Sequence, residues 1–511
     1  MDWIAWDTMI KSKQEGGLGF RDIQCFNDAL LAKLSWRMLE SPSCLLARVL
    51  KGKYCHDQDF MQVSAPSSCS HGWRGILIGR DLLKEQLGWA IGNGEKVLAW
   101  DDAWLSLIAP VRPMGPTPEH QSSLKVAELI STETKEWNGQ MIENHFPLLR
   151  DKILSIKTSK WGGEDKQIWL RHKSGSYTTK TGYYTAVERK QITPEQNPRN
   201  SSDWLPEIWK LTTSPKLKLF IWKIKHRALP VGDRLEARQV LSGTKCIHCE
   251  SHESISHLFF QCPYALKVWE LVPFSGGFNP MPLNDFDLEW KRLLRTVVLP
   301  PIGLGNAILA PWIIWAIWKA RNQKLFQNRT FSAQETVTKA ICDAKEWATA
   351  QVPVKICEQR RKIQPNRSTT EITCKSDAAW RKDLQAAGLA WSFYRNQKER
   401  FSSHDQPVAF VNSSLMAEGL ALRAAMEQAV ALQMRRVVFE SDSLPLVTAI
   451  ADGSSFSDLH GILSDIYLLS ISFDFVSFSF CRRETLCFED SAAKNSLSNF
   501  VLTQTIEPVL V

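Results

Sequence analysis

The stretch Ser413-Ser-Leu-Met-Ala-Glu418-Gly-Leu-Ala-Leu-Arg-Ala-Ala-Met-Glu-Gln-Ala-Val-Ala-Leu-Gln433 reads as one helix with a carboxylate on its apolar side. Leu415, Leu422, Ala425, Ala429 and Leu432 recur at three-to-four spacing and form a single stripe, the pattern of a helix face turned to a core. Glu418 lies on that stripe. An unneutralised carboxylate there costs on the order of several kcal/mol, and a divalent cation removes that cost most directly. A partly exposed stripe edge, or a salt bridge to an arginine elsewhere, is the plainer account.

Three more carboxylates lie around this helix in the sequence. Asp442 ends Arg435-Arg-Val-Val-Phe-Glu-Ser-Asp442, a short apolar strand, and 443–450 restarts as a helix. Read alone, Asp442 or Ser443 is a helix N-cap. Asp377 sits in the strand-like run Ile372-Thr-Cys-Lys-Ser-Asp-Ala-Ala-Trp380, followed by a second strand at Gly388-Leu-Ala-Trp-Ser-Phe-Tyr394 and a weak third near 408–411. Helices to about residue 470, a strand at 473–480 and a last helix carrying Phe488-Glu-Asp490-Ser-Ala-Ala-Lys494 complete the series.

That order of elements, over roughly residues 370–505, resembles the ribonuclease H domain. The resemblance implies an α/β fold, a mixed five-stranded sheet with flanking helices, in which Asp377, Glu418, Asp442 and Asp490 meet at one end and act as catalytic ligands of two Mg²⁺ or Mn²⁺ ions. The residue types suit the chemistry: Mg²⁺ is a hard cation that takes carboxylate oxygens and keeps several waters. Two such ions about 4 Å apart activate a water for in-line attack on a phosphodiester and stabilise the departing 3′ oxygen. An exonuclease with four acidic ligands fits less well, because its first strand would carry Asp-x-Glu where this chain has Asp377-Ala-Ala379. The chain departs from the family before the last helix. Cys481-Arg-Arg-Glu-Thr-Leu-Cys-Phe-Glu489 holds no His, and the Pro-Arg and Asn common in plant relatives align with Arg482, Arg483 and Leu486, which implies weak turnover.

Upstream, Cys246-Ile-His-Cys249, His257 and Cys262 give the spacing C-x2-C-x7-H-x4-C, four N/S ligands of the kind that close a structural Zn²⁺ site. His248 and His252 are alternative imidazoles for the third position. The neighbouring chain is basic and aromatic, and Lys216, Lys218, Lys223, Lys225 and Arg227 are the candidate phosphate contacts, with aromatic faces such as Phe220 and Trp222 available to stack bases. The same residues also read as an apolar core with a solvated lysine face. Pro215-Lys-Leu-Lys-Leu-Phe-Ile-Trp222, the Cys/His set, His257-Leu-Phe-Phe-Gln-Cys-Pro263 and Trp269 resemble the zinc-binding module that follows the polymerase of plant non-LTR retrotransposon reverse transcriptases. Gly16-Gly-Leu-Gly-Phe20, Gly92-Asn-Gly94, Trp100-Asp101 and Trp104-Leu105 extend that resemblance toward the N-terminus. No Tyr/Phe-x-Asp-Asp polymerase motif occurs, so the expectation is the distal part of a retroelement polyprotein.

The expected organisation is a mainly helical connection region (1–195), the zinc module (203–275), a helical connector (276–354), a basic linker (355–370) and the ribonuclease H-like domain (371–511), with 191–202 a second linker. At 511 residues there is ample core for about three domains, and a net charge of +8 mildly favours polyanionic partners. Twelve Cys without a secretory leader point to a reducing, intracellular setting in nucleus or cytoplasm, with thiols free or on zinc. The uncharged run 297–318 is broken by Pro300, Pro301, Gly303, Gly305 and Pro311, so a buried helix near 311–326 is expected rather than a membrane span. Three functions stay open: a Mg²⁺-dependent nuclease for the RNA strand of RNA/DNA hybrids, a nucleic-acid-binding protein whose nuclease has lapsed, and a decayed retroelement product.

Overall fold

The structure is a computed structural model; it describes residues 3–56, 58–114, 123–192, 205–240, 244–281, 285–299, 302, 304, 308–351, 372–396, 399–454 and 456–506. The basic linker expected at 355–370, and most of the one at 191–202, lie outside the described residues. The chain forms two compact units, one from 1–22 with 195–362, the other from 23–194 with 363–511.

In the second unit the C-terminal elements run β1 (Ile372–Arg381), β2 (Ala386–Arg395), β3 (Glu399–Ala409), α1 (Ser414–Ala431), β4 (Arg436–Ser441), α2 (Leu444–Asp452), α3 (His460–Ser470), β5 (Phe475–Phe480) and α4 (Cys487–Ile506). They build the expected mixed five-stranded sheet, in the order β3-β2-β1-β4-β5. β1, β2 and β3 pair antiparallel, while β1–β4 and β4–β5 are parallel. Alternate residues of a strand face opposite sides. Cys374, Leu389, Trp391, Phe393 and Phe439 therefore meet Leu420, Leu422, Met426, Ile462 and Ile466 of α1 and α3 in one core. The other side receives α4, and Gly388 shows why: a Cβ there would lie 2.0 Å from the Ala493 carbonyl. Truncating Phe439 to Ala would cost about 3–5 kcal/mol.

Two local expectations differ in detail. α1 begins at the Ser413 cap, whose hydroxyl accepts from Met416 N at 3.1 Å, but it is buried nearly all round at its centre, and Leu432, past its end, is exposed. The third strand is the eleven-residue β3, reaching Ala409 rather than starting near 408. Its sequence, Glu-Arg-Phe-Ser-Ser-His-Asp-Gln-Pro-Val-Ala, is polar on both faces because it is an edge strand, which is also why it tolerates Pro407.

Residues 23–194 contribute helices Ile23–Glu40, His71–Lys84 and Thr179–Ile192 and a two-stranded antiparallel sheet of Leu87–Ala90 and Lys166–Trp169. The Gly92-Asn-Gly94 turn has a specific reason. The buried Asp165 carboxylate accepts from the backbone of Gly92 (2.7 Å), Gly94 (2.9 Å) and Lys96 (2.9 Å). Gly94 has φ +77° and a Cβ on Gly92 would sit 2.2 Å from the Gly163 carbonyl, so both positions need glycine. Trp104 is wholly buried and donates to the Ala99 carbonyl at 2.9 Å.

In the first unit, one core joins Phe220, Phe259, Phe260 and Trp269 to Trp290, Ile313 and Ile317. The helix expected near 311–326 is Ala310–Gln327, started by Pro311 and stopped by Asn328 at φ +51°. Its Arg321 is buried and makes a two-bonded pair with buried Glu253, at 2.6 and 3.0 Å, while Glu253 also accepts from Gly232 N. Among the described residues no helix is long and apolar enough to cross a membrane.

Candidate metal centres

Parallel pairing of β1 with β4 ends at Lys375–Glu440. Asp377, in the middle of β1, lies two residues past that point and Asp442 directly follows β4, so both stand just beyond the carboxyl end of the parallel pairing, on the side where open α/β sheets bind ligands. Glu418 comes from the second turn of α1. One carboxylate oxygen from each of Asp377, Glu418 and Asp442 lies within 4.8 Å of the others. Asp377 is buried, with Oδ1 accepting from Ala378 N at 2.9 Å. Glu418 Oε2 is buried and has no hydrogen-bond partner, and among the described residues Glu418 makes no ion pair.

Burial, then the Asp442 charge, pushes Asp377 up to about 6. Burial, then Asp377 and Asp442, pushes Glu418 far above the usual carboxylate range. Asp377 and Glu418, whose ionisation is opposed by burial and by neighbouring acids, together with Asp442 and the orphaned Glu418 oxygen suit a hard divalent cation. Asp490 stands apart from this trio. It accepts from Arg483 at 3.1 Å and Lys494 at 2.6 Å, and these partners, Lys494 first, hold its carboxyl below its usual value. The loop before α4 folds as a short 3-10 turn, Arg483–Thr485, and Leu486 is buried beneath it. Sequence reasoning missed Glu489, next to Asp490: it is buried, takes the Tyr394 hydroxyl at 2.7 Å, and leaves Oε2 without a partner. It lies at helical spacing with buried Leu486, Ala493, Ser496 and Leu497, and that stripe was the signal that could have found it.

In the first unit, Cys246, Cys249, His257 and Cys262 also bring ligand atoms within 4.8 Å of one another. Cys249 Sγ is 3.2 Å from His257 Nε2, and Cys262 Sγ is 3.8 Å from Cys246 Sγ and 3.9 Å from that of Cys249. The last two ligands are joined by a five-residue π turn, His257–Gln261, closed by Cys262 N on the His257 carbonyl at 2.8 Å. Such wide turns are frequent at functional sites. The hydrogen bond between Cys262 and Cys246 pushes the Cys246 thiol down and the Cys262 thiol up, so one member of the pair is moved toward the thiolate that zinc requires. Of the alternative imidazoles, His248 stacks on Tyr264 at 4.1 Å and His252 is exposed; neither is in the cluster. The donor set fits tetrahedral Zn²⁺.

The basic residues of this unit divide. Lys216, Lys223 and Arg227 are exposed, with Lys216 over the Trp315 ring at 4.8 Å. Lys218 donates to the Trp209 carbonyl at 2.9 Å, and the buried Lys225 side chain pairs with Asp287.

An uncharacterized mitochondrial protein of Arabidopsis thaliana is 41% identical over 115 residues, which are 22% of this chain and 75% of that protein. A "Putative ribonuclease H protein" of the same plant is 27% identical over 358 residues, 68% of this chain and 55% of that protein. The chain belongs to the family of the first of these, the plant mitochondrial protein. It spans only about half the length of the second of them. Within this plant family's chain, residues 177–269 match the family described as zinc-binding in reverse transcriptase, and 375–496 match the reverse transcriptase-like family. The first match contains all four clustered Cys/His residues and the second all four candidate acids. Among solved structures, the ribonuclease H1 of Halobacterium salinarum is 20% identical, covering 25% of this chain and 98% of its own, with a TM-score of 0.24.

Proposed function

We propose that this chain is a nucleic-acid-binding endoribonuclease that cleaves the RNA strand of RNA/DNA hybrids by two-metal-ion hydrolysis. The observation that carries this reading is the trio Asp377, Glu418 and Asp442, with the Glu418 Oε2 atom buried and unpartnered. These three would hold Mg²⁺ or Mn²⁺, with Asp490 completing the set once released from Arg483 and Lys494. Bound there, the ions would supply an activated water and charge stabilisation for the leaving 3′ oxygen. Glu418, held protonated by burial and its acidic neighbours, would give up a proton as the site fills, and Asp377 would do so below about pH 6. In the zinc-binding module Cys246, Cys249, His257 and Cys262 would hold one structural Zn²⁺. Exposed Lys216, Lys223 and Arg227 are the phosphate contacts of that module. The partners are RNA/DNA hybrids or other nucleic acid inside the cell.

A second reading, a binding protein whose nuclease has lapsed, is favoured by one observation: the turn before α4 carries Arg483, Glu484 and Thr485 and no His. Incubating the purified full chain with labelled hybrid, RNA duplex and DNA duplex, with and without Mg²⁺, separates the two. Mg²⁺-dependent cutting of hybrid alone, abolished in Asp442→Asn with binding retained, is the expected result. Hybrid that is bound and never cut leaves the second reading; an Asp442→Asn variant that cuts as fast as wild type removes Asp442 from the site.

A further inference from the structure

Asp465 in α3 is fully buried. Its oxygens accept from Arg423 of α1 at 3.0 Å, from Lys160 N at 2.9 Å, from Trp161 N at 3.0 Å and from the Ser159 hydroxyl. Three of these four donors come from a segment roughly 300 residues earlier in the chain, and a buried carboxylate stripped of them would keep Arg423 as its counter-charge but lose most of its hydrogen bonds. The same segment is attached along its length. Lys157 Nζ donates to the Ala409 carbonyl at 3.0 Å, Trp161 Nε1 to Glu427 Oε1 at 3.2 Å and Ser457 Oγ to the Lys173 carbonyl at 3.1 Å, and His460 Nε2 meets the Glu164 carbonyl at 2.8 Å. Two glycines permit the approach: a Cβ on Gly461 would lie 2.5 Å from the Lys157 carbonyl oxygen, and one on Gly163 would lie 2.6 Å from Ser464 Cβ. Residues 155–175 fall outside both family matches.

The place of these contacts on α1 gives them a consequence. At 3.6 residues per turn Arg423 is about 140° around the helix from Glu418, and Glu427 about 180°. The segment therefore grips α1 from behind, while Glu418 on the front faces the charges of Asp377 and Asp442. We propose that residues 155–175 are a strap forming a constitutive part of the C-terminal domain, and that through Asp465, Arg423 and Glu427 they hold α1 so that Glu418 stays opposite Asp377 and Asp442. Asp465, Arg423 and Trp161 are positioning residues; the second half of the proposal rests on the metal reading of the trio.

The test uses the full chain with protease sites placed in 195–202 and 352–370 and cut after folding. The first and last fragments should co-elute on size exclusion at high salt; a last fragment eluting folded and alone overturns the strap. In the uncut chain, Asp465→Asn should raise amide exchange across 414–431 at least tenfold and weaken Mn²⁺ binding, read by electron paramagnetic resonance, three- to tenfold. Should Asp465→Asn not fold, Trp161→Phe, which removes only the indole donor, should raise the same exchange two- to threefold. Unchanged exchange in these variants refutes the strap. Raised exchange with unchanged Mn²⁺ affinity refutes the positioning half. Wild type that binds no Mn²⁺, while the fragments co-elute and exchange rises, overturns the metal reading and leaves the strap standing.

Discussion

Asp377→Asn should stabilise the metal-free protein at alkaline pH while removing its response to metal. Asp377 is buried beside two other acids and is pushed from an ordinary 3.8 to about 6. A folded-state value raised above the unfolded one favours the fold below about pH 4, and that contribution is lost as pH rises through about 6. At 1.36 kcal/mol per pH unit, the ionised wild type at pH 8 forfeits at most about 3 kcal/mol that an amide keeps. The amide oxygen can still accept from Ala378 N, so the substitution leaves no new orphan there. For a cooperative unit of about 300 residues, at about 2.1 cal/mol/K per residue, this amounts to a Tm gain of about 5 °C. Mg²⁺ at a hundred times its Kd should stabilise wild type by about 2.7 kcal/mol and the variant hardly at all. Calorimetry at pH 4.5 and pH 8, with EDTA and with Mg²⁺, reads all four states. A variant less stable than wild type in EDTA at pH 8, or a gap of equal size at both pH values, would refute the electrostatic account of this site.

Chelation should remove one zinc per chain and unfold the structure around 246–262, because structural zinc contributes about 10–16 kcal/mol in comparable small sites; metal analysis and near-ultraviolet circular dichroism check it, and a stoichiometry of zero sinks the zinc assignment. Lys494→Ala removes one of the two cations that occupy Asp490 and should tighten Mn²⁺ binding two- to threefold with little change in Tm, since the pair is exposed; weaker binding would mean that Lys494 helps rather than competes.

Much of the C-terminal fold was legible because its elements are local. The runs at 372–380, 388–394 and 435–442 are short and apolar, and α1 has a serine cap and a helical period. What failed to show was set by neighbours. β3 carries no alternation because one edge and much of both faces meet water, so its span follows from pairing with β2 rather than from its own residues. α1 is buried on more sides than its stripe suggested because α3 covers a second face, with Gly419 against Ile462. The Cys/His cluster was legible as spacing alone, yet the place of His257 rather than His248 in it depends on the π turn and on Tyr264, which takes His248 into a stack.

The acids show where such reasoning stops. Glu418 is a carboxylate on an apolar helix face, and the plainer accounts of it are a partly exposed stripe edge or a salt bridge to an arginine elsewhere in the chain. α3 contains the same signature, Asp465 among buried Ile462, Leu463, Ile466 and Leu469, and there the arginine is real: Arg423, five residues beyond Glu418 on the same helix. Pattern identifies a buried charge without naming its counter-charge. Asp465 has an arginine and two backbone donors from a segment no local window includes, whereas Glu418 has two more acids and an oxygen with no partner. Among these two otherwise similar helical carboxylates, only the arrangement in space separates the one that a protein cation already satisfies from the one left for a metal.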